Sequence, residues 1–310
     1  MKKTLTLLVL IMSFSMNAQL TAVTEGGNTG QRLSTSNASN HGNIGSNAVD
    51  LSYQDSPGVA NGATGRNSIA MGWNTKAEGT YSTAMGGDTT ANGANSTAMG
   101  SITEASGYAS TAMGNETRAI GYYSIATGNT TIARDFATLV IGQYNSSGSS
   151  ATGANSYFSF STSAPAFVIG NGTASNAKSD AFKVMFNGNT TVSNDLTVSG
   201  DVVISSDARL KTNIVSLGST LPKLLQIDGK SYEMKGKQKI GVLAQEIKEV
   251  FPELVSEDDN EMLAVNYQGL VPVLINALKE QDANMKEQQI KYIEQEKRLE
   301  RLERLVASMD

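Results

Sequence analysis

Asn67-Ser-Ile-Ala-Met-Gly72 and Asn95-Ser-Thr-Ala-Met-Gly100 are two copies of one short pattern in this chain of 310 residues. Glycine recurs every seven residues between positions 58 and 142, with a single interruption at Asp135. The full repeat is fourteen residues long, because three other residue types each return at that interval. They are threonine (Thr75, Thr89, Thr103, Thr117, Thr131), alanine (Ala77, Ala91, Ala105, Ala119, Ala133) and serine (Ser68, Ser82, Ser96, Ser110, Ser124).

Each repeat predicts two short strands separated by glycine turns. The Ser-x-Ala-Met-Gly pattern alternates small and apolar residues with a period of two, so we expect small side chains to point outward and apolar ones inward. Glycine at each corner permits the positive φ of a tight reversal. Stacked coils, about 4.8 Å apart, can form a continuous core that a single coil cannot. The expected inward apolar positions are Met71, Met85, Met99 and Met113, followed by Thr127 and Ile141.

Such a solenoid has a thin core, since its repeated side chains are small and only 6% of the residues are aromatic. We therefore expect several chains to pack together. The threonine positions are interpreted as solvent-facing residues that favour strands. The alternative is a flat face that binds a repeating lattice, such as ice or a polysaccharide.

The motif and its period resemble the head repeats of trimeric autotransporter adhesins over residues 58–142. The resemblance implies a left-handed parallel β-roll that assembles as a homotrimer. The sequence does not show the C-terminal membrane barrel of that family, so the resemblance implies a trimeric head without self-anchoring.

Composition limits the classes of function. Residues 1–19 have a basic start, an apolar stretch and a small or polar end, which predicts a signal peptide. No later segment is apolar enough to span a bilayer, so the mature chain is expected to be exported, extracellular or at a cell surface. Without cysteine, and with His41 as the only histidine, we expect no disulfide, metal site or cofactor. His41 is interpreted as a solvated loop residue. The net charge of −5 gives no support for nucleic-acid binding.

Other segments flank the repeats. Residues 20–57 are rich in Ser, Asn and Gly and predict an irregular arm, while residues 143–205 predict a linker and a narrow β-stalk. The expected stalk strands lie at 167–170, 181–186, 190–192, 196–198 and 202–204, with a turn at Asn187-Gly188. They hold too few apolar residues for the core of one chain, so the stalk is expected to form from intertwined chains.

Residues 206–310 predict a small α+β domain followed by a long helix from about residue 267. Pro272 is expected to kink or restart that helix. Its heptad pattern predicts a coiled coil, and the alternative is one amphipathic helix that packs on its own domain. The a positions are Val271, Leu278, Met285, Tyr292, Leu299 and Val306, and the d positions are Tyr267, Leu274, Leu302 and the polar Gln281, Gln288 and Gln295.

Ser206-Asp-Ala-Arg-Leu-Lys211 lies where the sequence changes character, since all but five of the 30 glycines precede it. A serine five residues before a lysine, at such a boundary, suggests a chain that cuts itself. Serine needs a base to become a good nucleophile. Lysine can serve when its amine is neutral, which requires burial or a nearby cation such as Arg209. A solvated ion pair between Asp207 and Arg209 is the simpler alternative, and Glu246 could orient a catalytic group or cap a helix.

Three segments together resemble the endosialidase-type intramolecular chaperones of phage tail spikes and fibres: 206–214, 241–246 with Pro252, and 267–280. The resemblance covers about residues 205–310. It implies a module that trimerises the fibre and then releases itself by autoproteolysis. It places the nucleophile on Ser206, the base on Lys211 and the scissile bond between Ser206 and Asp207.

The favoured hypothesis is a secreted, trimeric, fibre-like adhesin or surface protein whose C-terminal module drives trimerisation and removes itself as a serine peptidase. A cell-surface glycan or a host surface is a candidate partner. One alternative is a tail-spike-like protein that binds or degrades polysaccharide. The scattered carboxylates of residues 58–142 argue against hydrolysis, which usually needs a carboxylate pair. Another alternative is a structural fibre whose module never cleaves.

Overall fold

The computed structural model describes residues 20–54, 61–146, 157–258 and 261–308. The predicted signal peptide, residues 1–19, lies outside them. The chain divides into two compact units between Asp201 and Val202, close to the predicted boundary before Ser206.

Short strands dominate the first unit. They are β1 (Leu20–Glu25), β2 (Asn28–Leu33), β3 (Val49–Tyr53), β4 (Gly62–Ala63), β5 (Ile69–Trp73), β6 (Lys76–Ala77), β7 (Thr83–Gly87), β8 (Thr90–Ala91), β9 (Thr97–Ser101), β10 (Glu104–Ala105), β11 (Thr111–Asn115), β12 (Arg118–Ala119), β13 (Ile125–Asn129), β14 (Ile132–Ala133), β15 (Leu139–Gln143), β16 (Pro165–Asn171), β17 (Asp180–Met185) and β18 (Thr190–Val192).

The repeats form a parallel β-solenoid with two sheets. The sheet of longer strands has the order β1-β2-β3-β5-β7-β9-β11-β13-β15-β16-β17-β18, and the sheet of two-residue strands has the order β14-β12-β10-β8-β6-β4. Parallel pairing joins residues one repeat apart, such as Ala84 with Ala98 and Met85 with Met99. The predicted solenoid and its period are confirmed.

The solenoid interior is lined by small side chains, and the predicted inward methionines point outward. Ala84, Ser82 and Thr89 are fully buried, whereas Met71 is 42% exposed. The period of two was predicted correctly but its phase was wrong, because most coils enclose room only for alanine, serine and threonine, and the buried residue at the alanine position is no larger than Val140 in β15. The threonines expected in solvent are therefore buried, all five at 0–1% exposure.

The glycines of the repeat have two different roles. One set, which includes Gly86 and Gly100, adopts φ of about +120° as predicted. The other set, which includes Gly93, lacks positive φ but lies against the next coil, where an added Cβ on Gly93 would stand 2.7 Å from the carbonyl carbon of Gly107. Several reversals instead use non-glycine residues with left-handed backbone, among them Ile102 at φ 55°.

Residues 20–54 form ordered strands where the sequence predicted an irregular arm. Strands β1 and β2 form an antiparallel hairpin, β2 pairs parallel to β3, and β3 pairs in parallel with β5 of the repeats. The segment thus extends the sheet of longer strands at its N-terminal end.

A buried polar cluster lies within this N-terminal segment. Arg32 contacts Asp50 (Nε–Oδ2, 3.1 Å) and Glu25 (Nη1–Oε1, 2.8 Å). His41 Nδ1 lies 3.1 Å from Asp50 Oδ2, and the His41 side chain is only 1% exposed. The expectation of a solvated His41 was wrong, because Asp50 gives the imidazole a buried partner. Burial favours a raised pKa for Asp50, but hydrogen bonds with His41 and Ser52 outweigh it and hold the pKa below its ordinary 3.8.

The predicted stalk contains strands over only part of its length. Strand β16 pairs in parallel with β15, and β17 and β18 continue as an antiparallel meander. The predicted turn is present, with Gly188 N–H donating to Met185 O at 2.9 Å. The segments at 196–198 and 202–204 form no strand within the described chain. Val203 is 88% exposed there.

The second unit combines small sheets with helices. Its elements are α1 (Leu221–Leu224), β19 (Lys230–Met234), β20 (Lys237–Gly241), α2 (Ala244–Val250), β21 (Val255–Glu257), β22 (Leu263–Val265) and α3 (Leu270–Ala307). Strands β19 and β20 form an antiparallel hairpin, and β21 pairs with β22. Buried Ile247, Phe251 and Val273 form its core.

Helix α3 is the long helix predicted from the heptads. Pro272 lies in its first turn, where a missing N–H costs no helical hydrogen bond, so the helix is not broken. Val273 and Ala277 are buried. The predicted a positions point away from this small core, and Leu278 is 69% and Leu299 57% exposed.

Candidate self-cleavage site

The segment from Ser206 to Lys211 is bent by a short 3-10 turn at Ala208–Leu210. Asp207 caps this turn, since its Oδ1 accepts the N–H of Arg209 at 2.8 Å, and aspartate is a preferred residue at such a position. The turn brings Ser206 and Lys211 together, and Lys211 Nζ donates to Ser206 Oγ at 2.7 Å.

Asp207 and Arg209 form an ion pair beside these two residues. Arg209 Nη2 lies 2.6 Å from Asp207 Oδ2. The side-chain hydrogen bond from Arg209 is the main cause that lowers the pKa of Asp207 below 3.8, and the same bond raises the pKa of Arg209. Arg209 was considered either as a cation beside Lys211 or as the partner of Asp207 in an ion pair. The ion pair matches the geometry, because the guanidinium of Arg209 is directed at Asp207.

Ser206 and Lys211 are both exposed to solvent in the single chain. A protonated amine has no lone pair with which to accept a serine proton, so a lysine can act as a base only where water is excluded and the neutral amine is favoured. The single chain brings the two side chains together but leaves both in solvent. Apolar residues on both sides are also uncovered, with Ile204 58% and Leu210 73% exposed.

Glu246 does not contact Ser206 or Lys211. It lies in the first turn of α2, pairs with Lys230 at 3.2 Å, and accepts the N–H of Asp228 at 3.3 Å. Of the two roles considered for Glu246, a structural one fits this position.

The other segments that suggested the chaperone resemblance hold the second unit together. Tyr267 Oη accepts the N–H of Val242 at 3.2 Å, and an added Cβ on Gly241 would lie 2.7 Å from that oxygen. Glu280 on α3 accepts from Ser219 Oγ at 2.7 Å and from the N–H of Thr220. The Thr220 backbone bond is the largest cause that lowers the pKa of Glu280.

The anchoring role of Glu280 was not predicted from the sequence. Its partners lie about 60 residues away along the chain, so local spacing gives no signal for it. The described ranges also contain no group of three His, Asp or Glu side chains that could hold a metal ion.

Comparison with protein families gives two matches in the two different units. The model described as "Chaperone of endosialidase" matches residues 206–256. The model described as "YadA head domain repeat (2 copies)" matches residues 63–89, 77–101 and 105–131. A search of curated proteins finds no match. No helix of the described residues has the length and hydrophobicity needed to span a membrane. The chain thus joins repeats similar to the YadA head domain to a segment similar to the chaperone of endosialidase, as its sequence motifs indicated.

Proposed function

We propose that this protein is a secreted, trimeric, fibre-like surface protein whose C-terminal module assembles the trimer and then releases itself. The observation that carries the proposal is the 2.7 Å contact between Lys211 Nζ and Ser206 Oγ, just beyond the boundary between the units. The similarity to YadA head repeats supports trimer formation and a surface or extracellular location.

The outer face of the long-strand sheet supports assembly of several chains. Its outward side chains include Ile69, Met71 and Ile125, which are 38%, 42% and 39% exposed. The Met71 position continues along the coils from β5 to β15 as Met85, Met99, Met113, Thr127 and Ile141, whereas the Ile69 position is threonine in the next three coils. A surface of this kind is typical of subunit interfaces. Three copies that face a common axis would bury the row.

The C-terminal helix supports the same conclusion. Val271, Met285 and Tyr292 occupy the heptad seam and are 54%, 59% and 57% exposed. A parallel coiled coil of three α3 helices would cover this seam, and its glutamine layers would fix the register.

Assembly also supplies what the Ser206–Lys211 pair lacks. Packing of the exposed flanks, such as Val203 and Leu210, against neighbouring chains would remove water from Lys211. Desolvation favours the neutral amine, which can accept the Ser206 proton while Oγ attacks a carbonyl carbon. When the tetrahedral adduct collapses, its C–N bond breaks, the downstream amine leaves with the proton held by Lys211, and an ester to Ser206 remains, which water then hydrolyses.

Ring geometry constrains which carbonyl is attacked. Attack of Ser206 Oγ on its own carbonyl would close a strained four-membered ring. Cleavage between Ser206 and Asp207 therefore calls for the serine of one chain to attack the carbonyl of a neighbour. Attack on the Ser205 carbonyl of the same chain closes a five-membered ring and would cut one residue earlier.

Intact and native mass spectrometry of the purified protein test this proposal. We expect wild-type chains to give a trimer and a released fragment that begins at Asp207. Ser206→Ala and Lys211→Met are expected to leave full-length chains in a trimer of unchanged stoichiometry. Cleavage of Ser206→Ala at the wild-type rate, or cleavage by isolated monomers, would contradict the proposal. A fragment that begins at Ser206 would show that Ser206 attacks the Ser205 carbonyl of its own chain instead of the carbonyl of a neighbour.

A further inference from the structure

An exposed cluster of aromatic rings lies on one edge of the solenoid, and we call it the aromatic edge. Neighbouring rings have centroids 4.6 to 6.4 Å apart in tilted or edge-to-face arrangements. Five of the six side chains are between 37% and 50% exposed. The members are Tyr108, Tyr122, Tyr123, Phe136, Tyr157 and Phe158.

The solenoid fold does not require aromatic side chains at these positions, because the repeat supplies its own comparison. The position of Tyr108 and Tyr122 is occupied by Thr80 and Ala94 in earlier coils, with the same strand pairing. Tyr123 has left-handed backbone at φ 60°. Asn95 occupies the same repeat position two coils earlier and has the same φ. Asparagine tolerates this backbone better than tyrosine does. Tyr123 is therefore retained at a cost in stability.

A second segment completes the cluster. The chain returns to this edge after β15, and the N–H of Tyr122 donates to Tyr157 O at 2.6 Å. This bond fixes Tyr157 and Phe158 beside the coil rings, with Phe158 and Tyr122 centroids 6.4 Å apart. The aromatic edge is thus built by two parts of the chain and has a defined shape.

The extent of the aromatic edge argues against a contact between copies of this chain. A subunit interface along a solenoid follows successive coils, as the row of Met71, Met85, Met99 and Met113 does. The rings are instead confined to three successive coils and the returning segment. The exposed polar neighbours on the same edge are Asn92 and Asn95, which are uncharged, and Arg134, whose guanidinium offers several hydrogen-bond donors. A local, hydroxyl-rich ligand fits these features.

We propose that the aromatic edge binds a β-linked polysaccharide through the faces of its pyranose rings. The inference rests on the proposed surface location of the head and adds a ligand class to it. Tyrosine offers an apolar face with a polar tip, which matches a sugar ring whose C–H face is apolar and whose rim carries hydroxyl groups. Successive coils lie about 4.8 Å apart, close to the length of one sugar unit in an extended β-linked chain.

Sedimentation with insoluble cellulose and chitin tests this proposal, with cross-linked dextran as the α-linked comparison. The full-length protein is mixed with each polysaccharide, and the unbound fraction is measured across a range of protein concentrations. The repeat supplies substitutions that the fold already accepts: Tyr108→Ala, Tyr122→Thr and Tyr123→Asn, combined in one variant. The matched control combines Tyr81→Asn with Trp73→Gly and removes two exposed rings that are not members of the aromatic edge. These substitutions also come from the repeat, because Asn95 and Gly87 occupy the same positions in the next coil.

We expect the control variant to bind cellulose or chitin as tightly as wild type does. The triple variant is expected to bind the same polysaccharide at least about tenfold more weakly. Binding of wild type to neither β-linked polysaccharide would overturn the proposal, and so would equal binding by the triple variant. Native mass spectrometry of the same samples tests the proposed trimer separately from the proposed polysaccharide binding. A monomeric wild type would refute the trimer without affecting the sedimentation result, whereas a triple variant that loses its trimer would show that the aromatic edge is a subunit contact.

Discussion

Replacement of Gly93 by alanine tests the close stacking of the coils. A Cβ added at Gly93 would lie 2.7 Å from the Gly107 carbonyl carbon, and ordinary contact begins near 3.4 Å. The carbonyl oxygen of Gly107 would lie closer still, so the two coils must separate by more than the ~0.7 Å that the carbon alone requires, although backbone hydrogen bonds such as Gly93 N–H to Ala105 O at 3.1 Å hold them together. Overpacking costs about 1–3 kcal/mol when side chains can adjust, and here the opposing atoms are backbone. We expect a loss of about 3 kcal/mol in the free energy of unfolding.

Urea unfolding followed by the fluorescence of Trp73, the only tryptophan, measures this loss in the head. Gly87→Ala is the matched control, because its added Cβ would meet only the Trp73 ring, at 4.0 Å. The control is expected to change stability by no more than about 0.5 kcal/mol. Equal unfolding midpoints for Gly93→Ala and Gly87→Ala would refute the steric explanation of the glycine repeat.

Three further changes test other features. Ile102→Asn relieves a β-branched residue at φ 55° and is expected to raise the unfolding free energy of the head by about 1 kcal/mol, measured by the same urea titration. Asp50→Asn removes one of the two carboxylates that pair with buried Arg32, the other being Glu25, and is expected to cost about 2 kcal/mol at pH 7. Because the folded-state pKa of Asp50 lies below its unfolded value of 3.8, the contribution is present above that value and is lost as the pH falls through the folded-state pKa. Thermal midpoints measured from pH 6 to pH 2 should therefore fall more steeply in wild type than in Asp50→Asn, in which carboxylates such as Glu280 still titrate. Glu280→Gln weakens the anchor of Thr220 and is expected to lower the calorimetric midpoint of the second unit while the head transition stays unchanged; a shift of the head transition instead would contradict this assignment.

The repeat predicted the architecture of the head well, because its period fixes the length of a coil. It did not predict which side chains face inward. The usual assumption that methionine is buried before alanine fails for Met71 and Ala70, because a coil closed by two short strands has no space for a long side chain. The same restriction explains why Thr89 is buried.

Contacts between distant residues could not be predicted from spacing. His41 and Asp50 face each other only because the hairpin and the first coil bring them together, and no periodic pattern connects them. The proximity of Ser206 and Lys211 was predictable, since a capped turn lies between them. Their exposure was not, because the surfaces that would cover them belong to other chains in the proposed assembly.

The uniform step between coils has an evolutionary consequence. Each coil pairs only with the coils before and after it, as Ala98 does with Ala84 and Ala112. Duplication or loss of one repeat in the gene would therefore lengthen or shorten the rod by about 4.8 Å without disturbing either end. The length of the solenoid could thus change in evolution independently of the segments at its two ends.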